Sequence, residues 1–198
     1  TQVSPRFAKM LSELPKDRNA VVAHREKIDS LKIKVAEAID YYNAAIKSDL
    51  AVVKSMIRGM KNGEAIRRIT PYLAAVEAKE FASQERSSVI AVILDMNFDI
   101  KQTQHFISLI AKQNTEFEIF QDAAVPEVQK FADSTLKGPT LTEFAKLRSL
   151  LIESAESGLF DGLSAAGWFT ASTTRIDLMK KLEDYVVKDL LQVAGQAH

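Results

Sequence analysis

The segment WFTASTTRID, from Trp168 to Asp177, places one arginine among several hydroxyl side chains. An arginine guanidinium presents a planar fork of N–H donors that matches two oxygens of a small anion at once. Nearby hydroxyl groups can add further donors without adding charge. These residue types therefore favour the binding of a small oxyanion, with Arg175 supplying the positive charge.

If this segment is helical, its apolar residues define one face at about 100° per residue. Arg175 and Ser172 lie within that apolar arc, so we expect both to point into a helical bundle. Thr173 lies about 200° from Arg175 on an ideal helix, which makes Ser172 the better co-ligand on geometry alone. Glu183 lies two turns further on, on the order of 12 Å along the axis, and is not expected to be an adjacent counter-charge. The apolar arc contains Trp168, Met179, Leu182, Val186, Leu190 and Val193.

Two further cations, Lys79 and Arg86, lie in the segment from Ala78 to Leu94. Helical spacing puts both on a face of small and apolar side chains. A buried cation without a counter-charge is costly. Two explanations stay open: an internal salt bridge or a side chain that reaches the protein edge, and an anion from solution that completes the charge. Carboxylates are expected on solvated polar arcs. In this segment the polar arc contains Glu77, Glu80, Gln84, Ser88 and Asp95.

The sequence offers little material for catalysis or metal binding. It contains no cysteine, which excludes disulfides, thiolate chemistry and Cys-based zinc sites. The histidines, His24, His105 and His198, have no i, i+3 or i+4 spacing. No nucleophile elbow, phosphate loop or dinucleotide fingerprint occurs. We therefore predict a protein that is not an enzyme and that uses no metal or cofactor.

The composition narrows the classes of partner. The 198-residue chain is 46% hydrophobic and 26% charged, which is typical of a soluble globular protein. Lysine plus arginine and aspartate plus glutamate both number 26, so the formal net charge is zero. A general nucleic-acid binder or a protein that binds anionic membranes would carry a basic excess. Neither kind of partner is therefore expected, and no apolar run is long enough to span a bilayer.

Apolar residues recur at spacings of three and four along the whole chain, which predicts helices and no strand. We expect six or seven helices, several of them long, as in elongated antiparallel bundles. Turn and cap signals predict a helix from Pro15 to Gly59, with Ser48-Asp49 as a break or cap, and then a turn over Gly59 to Glu64. A helix to about Phe98 follows, with Pro71 as a restart or kink, and then a helix that is capped by Asp99 and ends near Ala124. The remaining elements are a short segment from Pro126, a helix capped by Thr140 or Thr142, and a final helix from Ser164 to about Ala194.

Several segments resemble the nitrate- and nitrite-sensing (NIT) domain family, and the resemblance is spread over most of the chain. YLAAVEAKEFASQERS, from Tyr72 to Ser87, is similar to the family's tyrosine-leucine, lysine-glutamate and glutamate-arginine signature. WFTASTTRIDLM, from Trp168 to Met179, looks like its closing tryptophan and threonine-x-arginine-isoleucine-aspartate motif. Further similarity lies in RFAKMLSELPKDR (Arg6 to Arg18), REKID (Arg25 to Asp29), Tyr41-Tyr42 and LIAKQNTEFEIF (Leu109 to Phe120).

This resemblance implies one all-α sensor domain over residues 1–198, built as two stacked helical bundles that share long antiparallel helices. It also implies that the ligand is nitrate or nitrite. Arg175 and Thr173 occupy the family's closing motif, and Arg86 and Lys79 occupy the central one. Together with Ser172, these are the residues that we expect to bind the anion.

The chain departs from the family pattern at two places. Ser83 stands where the family usually has glycine, and a glutamate-arginine-glycine segment usually precedes the residues that correspond to Arg6 onward. If that segment supplies an anion-binding arginine, the site in this chain is incomplete or its ligand differs. Because the chain begins at Thr1 rather than Met, we interpret it as a mature protein or a fragment.

The family's habits imply the sensory input of a bacterial chemoreceptor, sensor kinase, cyclase or antiterminator. We expect the periplasmic part of an inner-membrane chemoreceptor that forms a homodimer and passes a helix shift to an output domain, with a cytoplasmic sensor as the alternative. A hypothesis from a different class is a helical interaction or structural module without a small-molecule ligand. In that case the inward cations pair with carboxylates such as Glu183.

Overall fold

The computed structural model describes residues 20–59 and 63–196. All regular secondary structure in these ranges is helical, which confirms the predicted all-α class. No helix in these ranges combines the length and apolarity needed to cross a membrane. The chain divides into two compact units, residues 1–63 and 64–198, which we describe separately. The helices are α1 (described over residues 20–29), α2 (Val35–Gly59), α3 (Gly63–Asp95), α4 (Ile100–Ala123), α5 (Pro126–Thr135), α6 (Pro139–Ser157) and α7 (Ala165–Gln196).

The N-terminal unit contains α1 and α2. The predicted break or cap at Ser48-Asp49 is wrong, because α2 runs through these residues. The predicted helix start at Pro15 lies outside the described residues. The chain breaks instead around Leu31, whose φ of +54° is left-handed. The hydroxyl of Ser30 donates to the backbone carbonyl of Glu26 at 2.7 Å. This bond gives a carbonyl in the last turn of α1 a side-chain donor, which favours the end of the helix here. Neither glycine nor proline marks this break, so turn signals in the sequence could not locate it.

The start of α4 follows the predicted capping chemistry. The Asp99 carboxylate accepts a hydrogen bond from the backbone N–H of Gln102 at 2.8 Å, and the Gln102 side chain accepts one from the backbone N–H of Asp99 at 2.9 Å. This capping box satisfies two donors that would otherwise lack an intrahelical partner. The predicted cap at Asp99 is confirmed.

We expect Asp99→Ala to lower the free energy of unfolding by about 1 kcal/mol, because the first turn of α4 loses its side-chain acceptor. Chemical denaturation followed by circular dichroism measures this change. Asp122→Ala, at an exposed position in the last turn of the same helix, is the matched control. Removing an acid from a helix C-terminus should be neutral or slightly stabilising, so an equal loss in both variants would contradict the capping role.

The predicted cap of α6 is wrong. Thr140 and Thr142 lie inside the helix, and the N-cap is Gly138, whose φ of +111° favours glycine. Pro139 follows at the first helical position, where its fixed φ suits the helix and its missing N–H costs nothing. The helix ends at Gly158, a left-handed C-cap with φ of +71°. The predicted start of α7 is confirmed, since Ser164 Oγ accepts a hydrogen bond from the backbone of Gly167 at 3.1 Å.

The two longest helices, α3 and α7, run antiparallel in the C-terminal unit. Residues later in α3 contact residues earlier in α7, as three side-chain pairs show. The three pairs are Arg68–Asp189 at 3.2 Å, Lys79–Glu183, and Arg86–Thr173 at 2.9 Å.

α3 continues through Pro71 without ending, so the predicted restart at this proline does not occur.

Two apolar cores form on this pair of helices. In both, α3, α4 and α7 contribute residues, but α6 supplies the fourth side of one core and α5 the fourth side of the other. We call them the Trp168 core and the Val186 core. Between them α3 and α7 contact through Ala78, Ala82 and Met179. The Trp168 core contains Val89, Ile93, Phe106, Phe144, Leu147, Leu151, Trp168 and Ala171, and the Val186 core contains Ala74, Ala75, Phe120, Ala124, Val128, Ala132, Leu182 and Val186.

Candidate anion-binding site

Four polar side chains, one from each of four helices, meet inside the C-terminal unit. They are Glu85 of α3, Gln113 of α4, Arg148 of α6 and Arg175 of α7. Glu85 and Gln113 have no exposed surface, and the side chains of Arg148 and Arg175 are 19% and 12% exposed. We call this group the buried polar cluster. Polar groups at this depth require hydrogen-bond partners, and each member of the cluster has at least one partner within it.

Glu85 is the acceptor at the centre of the cluster. Arg148 binds it with both ends of its fork, from Nε to Oε1 at 2.8 Å and from Nη2 to Oε2 at 2.6 Å. Gln113 Nε2 donates to the same Oε2 at 2.8 Å and to the carbonyl of Leu109 at 3.1 Å. Bidentate pairing of this kind is the strong form of the arginine–carboxylate contact. The Glu85 carboxylate is therefore paired mainly with Arg148.

Arg175 is less completely neutralised. Its Nη1 donates to Gln113 Oε1 at 2.7 Å, but the closest Glu85 oxygen lies 3.9 Å away. Two guanidinium groups thus share one carboxylate, and the cluster carries one excess positive charge. Burial lowers the pKa of Arg175 to about 10, repulsion from Arg148 acts in the same direction, and attraction to Glu85 opposes them. The guanidinium therefore remains charged at neutral pH, in surroundings that solvate it poorly.

The ring of Phe144 stabilises both guanidinium groups through cation–π contacts. The guanidinium carbons of Arg148 and Arg175 each lie 4.7 Å from its centroid. A cation over an aromatic face gains about 0.5–2 kcal/mol, more when water is excluded. This contribution lowers the cost of burying two cations together but supplies no negative charge.

A cavity of about 330 Å³ lies beside Arg175. Among the described residues, Gln113 is the hydrogen-bond acceptor of the Arg175 guanidinium, so further N–H groups of the fork remain for a ligand. A small anion in the cavity would meet the poorly solvated Arg175 cation and walls that are apolar apart from the exposed residues Gln121 and Asp133. The lining residues come from α4 to α7 and from the C-cap of α5, and they are Phe117, Gln121, Ala132, Asp133, Leu136, Leu141, Arg175 and Met179.

Arg86 and Thr173, both predicted from the sequence, are brought together by the fold. Arg86 Nη1 donates to Thr173 Oγ1 at 2.9 Å, and its guanidinium carbon lies 5.2 Å from the ring centroid of Phe169. The indole N–H of Trp168 donates to the backbone carbonyl of Arg86 at 3.1 Å. These contacts join α3 to α7. In the part of the chain that the structure describes, none of them reaches the buried polar cluster.

The other two predicted site residues have protein partners. Lys79 forms a salt bridge with Glu183, so this pair fits the interpretation of an internal salt bridge. The Ser172 hydroxyl is buried but donates to the carbonyl of Trp168 at 2.5 Å. Such back-bonding to the preceding turn is a common alternative for serine in a helix. The Ser172 hydroxyl would therefore have to give up this hydrogen bond before it could donate to an anion.

The sequence interpretation missed Glu85, Gln113 and Arg148. It expected carboxylates on solvated arcs, and for Glu85 this is wrong because the residue is fully buried. The spacing contained a usable signal. Glu85 continues the buried stripe of α3, three residues after Ala82, and Gln113 continues that of α4, four residues after Leu109. A polar residue in register with an apolar stripe indicates a buried polar contact.

Comparisons with known proteins identify the family of this chain. The nitrate regulatory protein of Klebsiella oxytoca is 22% identical over 175 residues, which cover 88% of this chain and 43% of that protein. The solved structure of the NasR transcription antiterminator matches with a TM-score of 0.85 and 21% identity, over 98% of this chain and 52% of that one. The chain thus spans about half the length of these relatives. The model of the family described as nitrate and nitrite sensing matches residues 1–191, and the chain belongs to this NIT family.

Proposed function

We propose that this chain is the ligand-binding region of a larger signalling protein and that it senses nitrate or nitrite through Arg175. The observation that carries the proposal is the excess positive charge of the buried polar cluster, located beside a cavity. A monovalent oxyanion entering the cavity would complete the charge and use the spare donors of the Arg175 fork. Membership of a nitrate- and nitrite-sensing family supports the choice of ligand and a role in sensing rather than catalysis.

We propose that ligand binding biases the packing of α7 against α4 and α6. Gln113 Oε1 currently accepts the hydrogen bond of Arg175, and an anion would compete with it for the same donor. A ligand shifts a helix arrangement only through a difference in affinity between two arrangements, and exchange of this partner provides one. Because α7 continues as one helix to Gln196, a shift at Arg175 could be passed along it to an output domain.

For the whole protein we propose a regulator of the kind that the relatives are named for. Those names describe a nitrate regulatory protein and a transcription antiterminator, which supports the cytoplasmic alternative over the periplasmic chemoreceptor that the sequence favoured. A homodimer, and one sensor domain of two bundle modules over residues 1–198, remain part of the proposal. The zero net charge supports a sensor region that does not itself bind nucleic acid, whatever an output domain does.

Arg86, Thr173, Lys79 and Ser172 remain secondary ligand candidates in this proposal. Arg86 and Thr173 would reach an anion only after their mutual hydrogen bond opens. Lys79 would first have to leave Glu183. We therefore propose Arg175 as the primary contact.

The second candidate function is a helical interaction module without a small-molecule ligand. The salt bridge between Lys79 and Glu183 favours it, because it neutralises one inward cation inside the protein. The incomplete neutralisation of Arg175 and the cavity beside it argue for the sensor instead.

We expect Arg175→Gln to weaken nitrate and nitrite binding by at least about tenfold, since one charged hydrogen-bonding group contributes about 1.5–3 kcal/mol. Isothermal titration calorimetry measures the loss, and circular dichroism checks that the helices persist. Lys181→Gln, which removes an exposed cation from the same helix, should bind as the parent does. Absence of both heat and thermal stabilisation when the parent protein is titrated with either anion would rule out the proposed function.

A further inference from the structure

We infer that Glu85 and Arg148 set the charge of the anion that the site accepts, so that it takes a monoanion and rejects a dianion. This inference rests on the proposed function. It concerns two residues that would not contact the ligand, and it assigns to them the discrimination between oxyanions that the fork of Arg175 cannot make by shape alone.

The buried polar cluster has a net charge of plus one. Arg148 and Arg175 contribute two positive charges and Glu85 one negative charge, while Gln113 adds hydrogen bonds but no charge. One monovalent anion therefore brings the cluster to neutrality. A dianion such as sulfate would leave one uncompensated negative charge in surroundings where unpaired charges are costly.

The Glu85 carboxylate is held away from Arg175. Arg148 holds both of its oxygens, at 2.8 and 2.6 Å, and the Gln113 amide holds one of them as well. These contacts keep the carboxylate 3.9 Å from Arg175, too far for a hydrogen bond. Arg148 is thus a positioning residue, since it prevents Glu85 from becoming the internal ligand of Arg175.

Gln113 holds Arg175 in place without changing the charge of the cluster. Its amide oxygen accepts the hydrogen bond of Arg175 at 2.7 Å without neutralising the cation. Arg175 is therefore fixed in place while its charge remains available. A carboxylate on that atom would complete the charge internally and leave no electrostatic reason for an anion to enter.

The test compares variants that change the buried charge with variants that make the same change at the surface. Arg148→Gln lowers the charge of the cluster to zero, and Lys146→Gln removes an exposed cation from the same helix. Glu85→Gln raises the charge to plus two, and Glu118→Gln makes the same change at an exposed position of α4 that does not line the cavity. Arg148→Lys keeps the charge. Each protein is titrated calorimetrically with sodium nitrate and with sodium sulfate, and its melting temperature is recorded with and without each anion.

The parent protein is expected to bind nitrate at least tenfold more tightly than sulfate. Arg148→Gln should lose at least tenfold in nitrate affinity, because Glu85 then pairs with Arg175. Lys146→Gln should stay within twofold of the parent, and Arg148→Lys should recover most of the loss. Glu85→Gln should gain sulfate binding, seen as heat or as a rise in melting temperature with sulfate, whereas Glu118→Gln should not.

The outcomes separate the two proposals. A parent protein that binds neither anion rules out the proposed function, and this inference with it. Nitrate binding that is lost in Arg175→Gln but unchanged in Arg148→Gln leaves the function intact and overturns the inference. Equal effects of the buried and the surface variants overturn it too, since they would assign the selectivity to the overall field of the protein. If Glu85→Gln does not fold, the Arg148 variants and the nitrate-to-sulfate ratio of the parent protein decide the question.

Discussion

Replacing Glu85 with alanine should lower the free energy of unfolding by about 3–5 kcal/mol, because the substitution leaves two buried guanidinium groups without their carboxylate. Glu85 accepts three hydrogen bonds from Arg148 and Gln113 and is fully buried. Once it is removed, each of these donors loses an acceptor in a place that water reaches poorly. Urea denaturation followed by circular dichroism, in buffer free of oxyanions, measures the change.

Glu118→Ala is the matched control for this measurement. Glu118 is also a helical glutamate, but its side chain is exposed, and substitutions at such positions change stability by about 0.5 kcal/mol or less. A loss in Glu85→Ala no larger than in the control would mean that the cluster does not hold its four helices together. Partial recovery of the Glu85→Ala protein by added nitrate would be consistent with an anion replacing the missing carboxylate.

The second large effect is expected for Trp168→Ala, which should lower the free energy of unfolding by about 3–5 kcal/mol. Trp168 has no exposed surface and packs in the Trp168 core, with its ring centroid 5.2 Å from that of Phe144. Alanine would leave a cavity where α3, α6 and α7 meet and would remove the donor to the Arg86 carbonyl. Because this tryptophan is the only one in the chain, unfolding must be followed by circular dichroism rather than by fluorescence.

The adjacent aromatic residue provides the comparison. Phe169 is 49% exposed and contacts the Arg86 guanidinium across its ring face. Phe169→Ala should therefore cost about 1 kcal/mol or less, the scale of an exposed cation–π contact. If the two alanine variants lost stability equally, the aromatic packing of Trp168 could not be what holds this end of the C-terminal unit together.

Much of the fold could be predicted from the sequence because its signals are local. The spacing of apolar residues identified the helices and the buried face of α7, where Trp168, Met179, Leu182 and Val186 are all buried as expected. The capping residues Asp99 and Ser164 have side-chain hydrogen bonds within reach, so their roles follow from their neighbours. The break near Leu31 could not be predicted, since a left-handed leucine has no compositional signature.

The site was harder to predict from the sequence, because its residues come from four separate helices. The inward direction of Arg175 follows from its angle on α7, and the structure confirms it. Its partners do not follow, since the sequence gives no indication that Gln113, Arg148 and Glu85 lie at the same level of the bundle. Ser172 and Thr173 show a second limit. Angles on a helix rank which residues face inward, but not whether a hydroxyl donates to its own helix or accepts from a neighbour.

The hydrogen bond from the Trp168 indole to the Arg86 carbonyl has a further consequence. It fixes the chain's single indole on the backbone of α3, one residue from Glu85, although the ring itself belongs to α7. Emission from an indole depends on the polarity and hydrogen bonding around its ring. Any sliding or rotation of α7 past α3 would therefore be accompanied by an optical change, so the protein carries its own spectroscopic probe on α7, the helix that we propose to shift when the ligand binds.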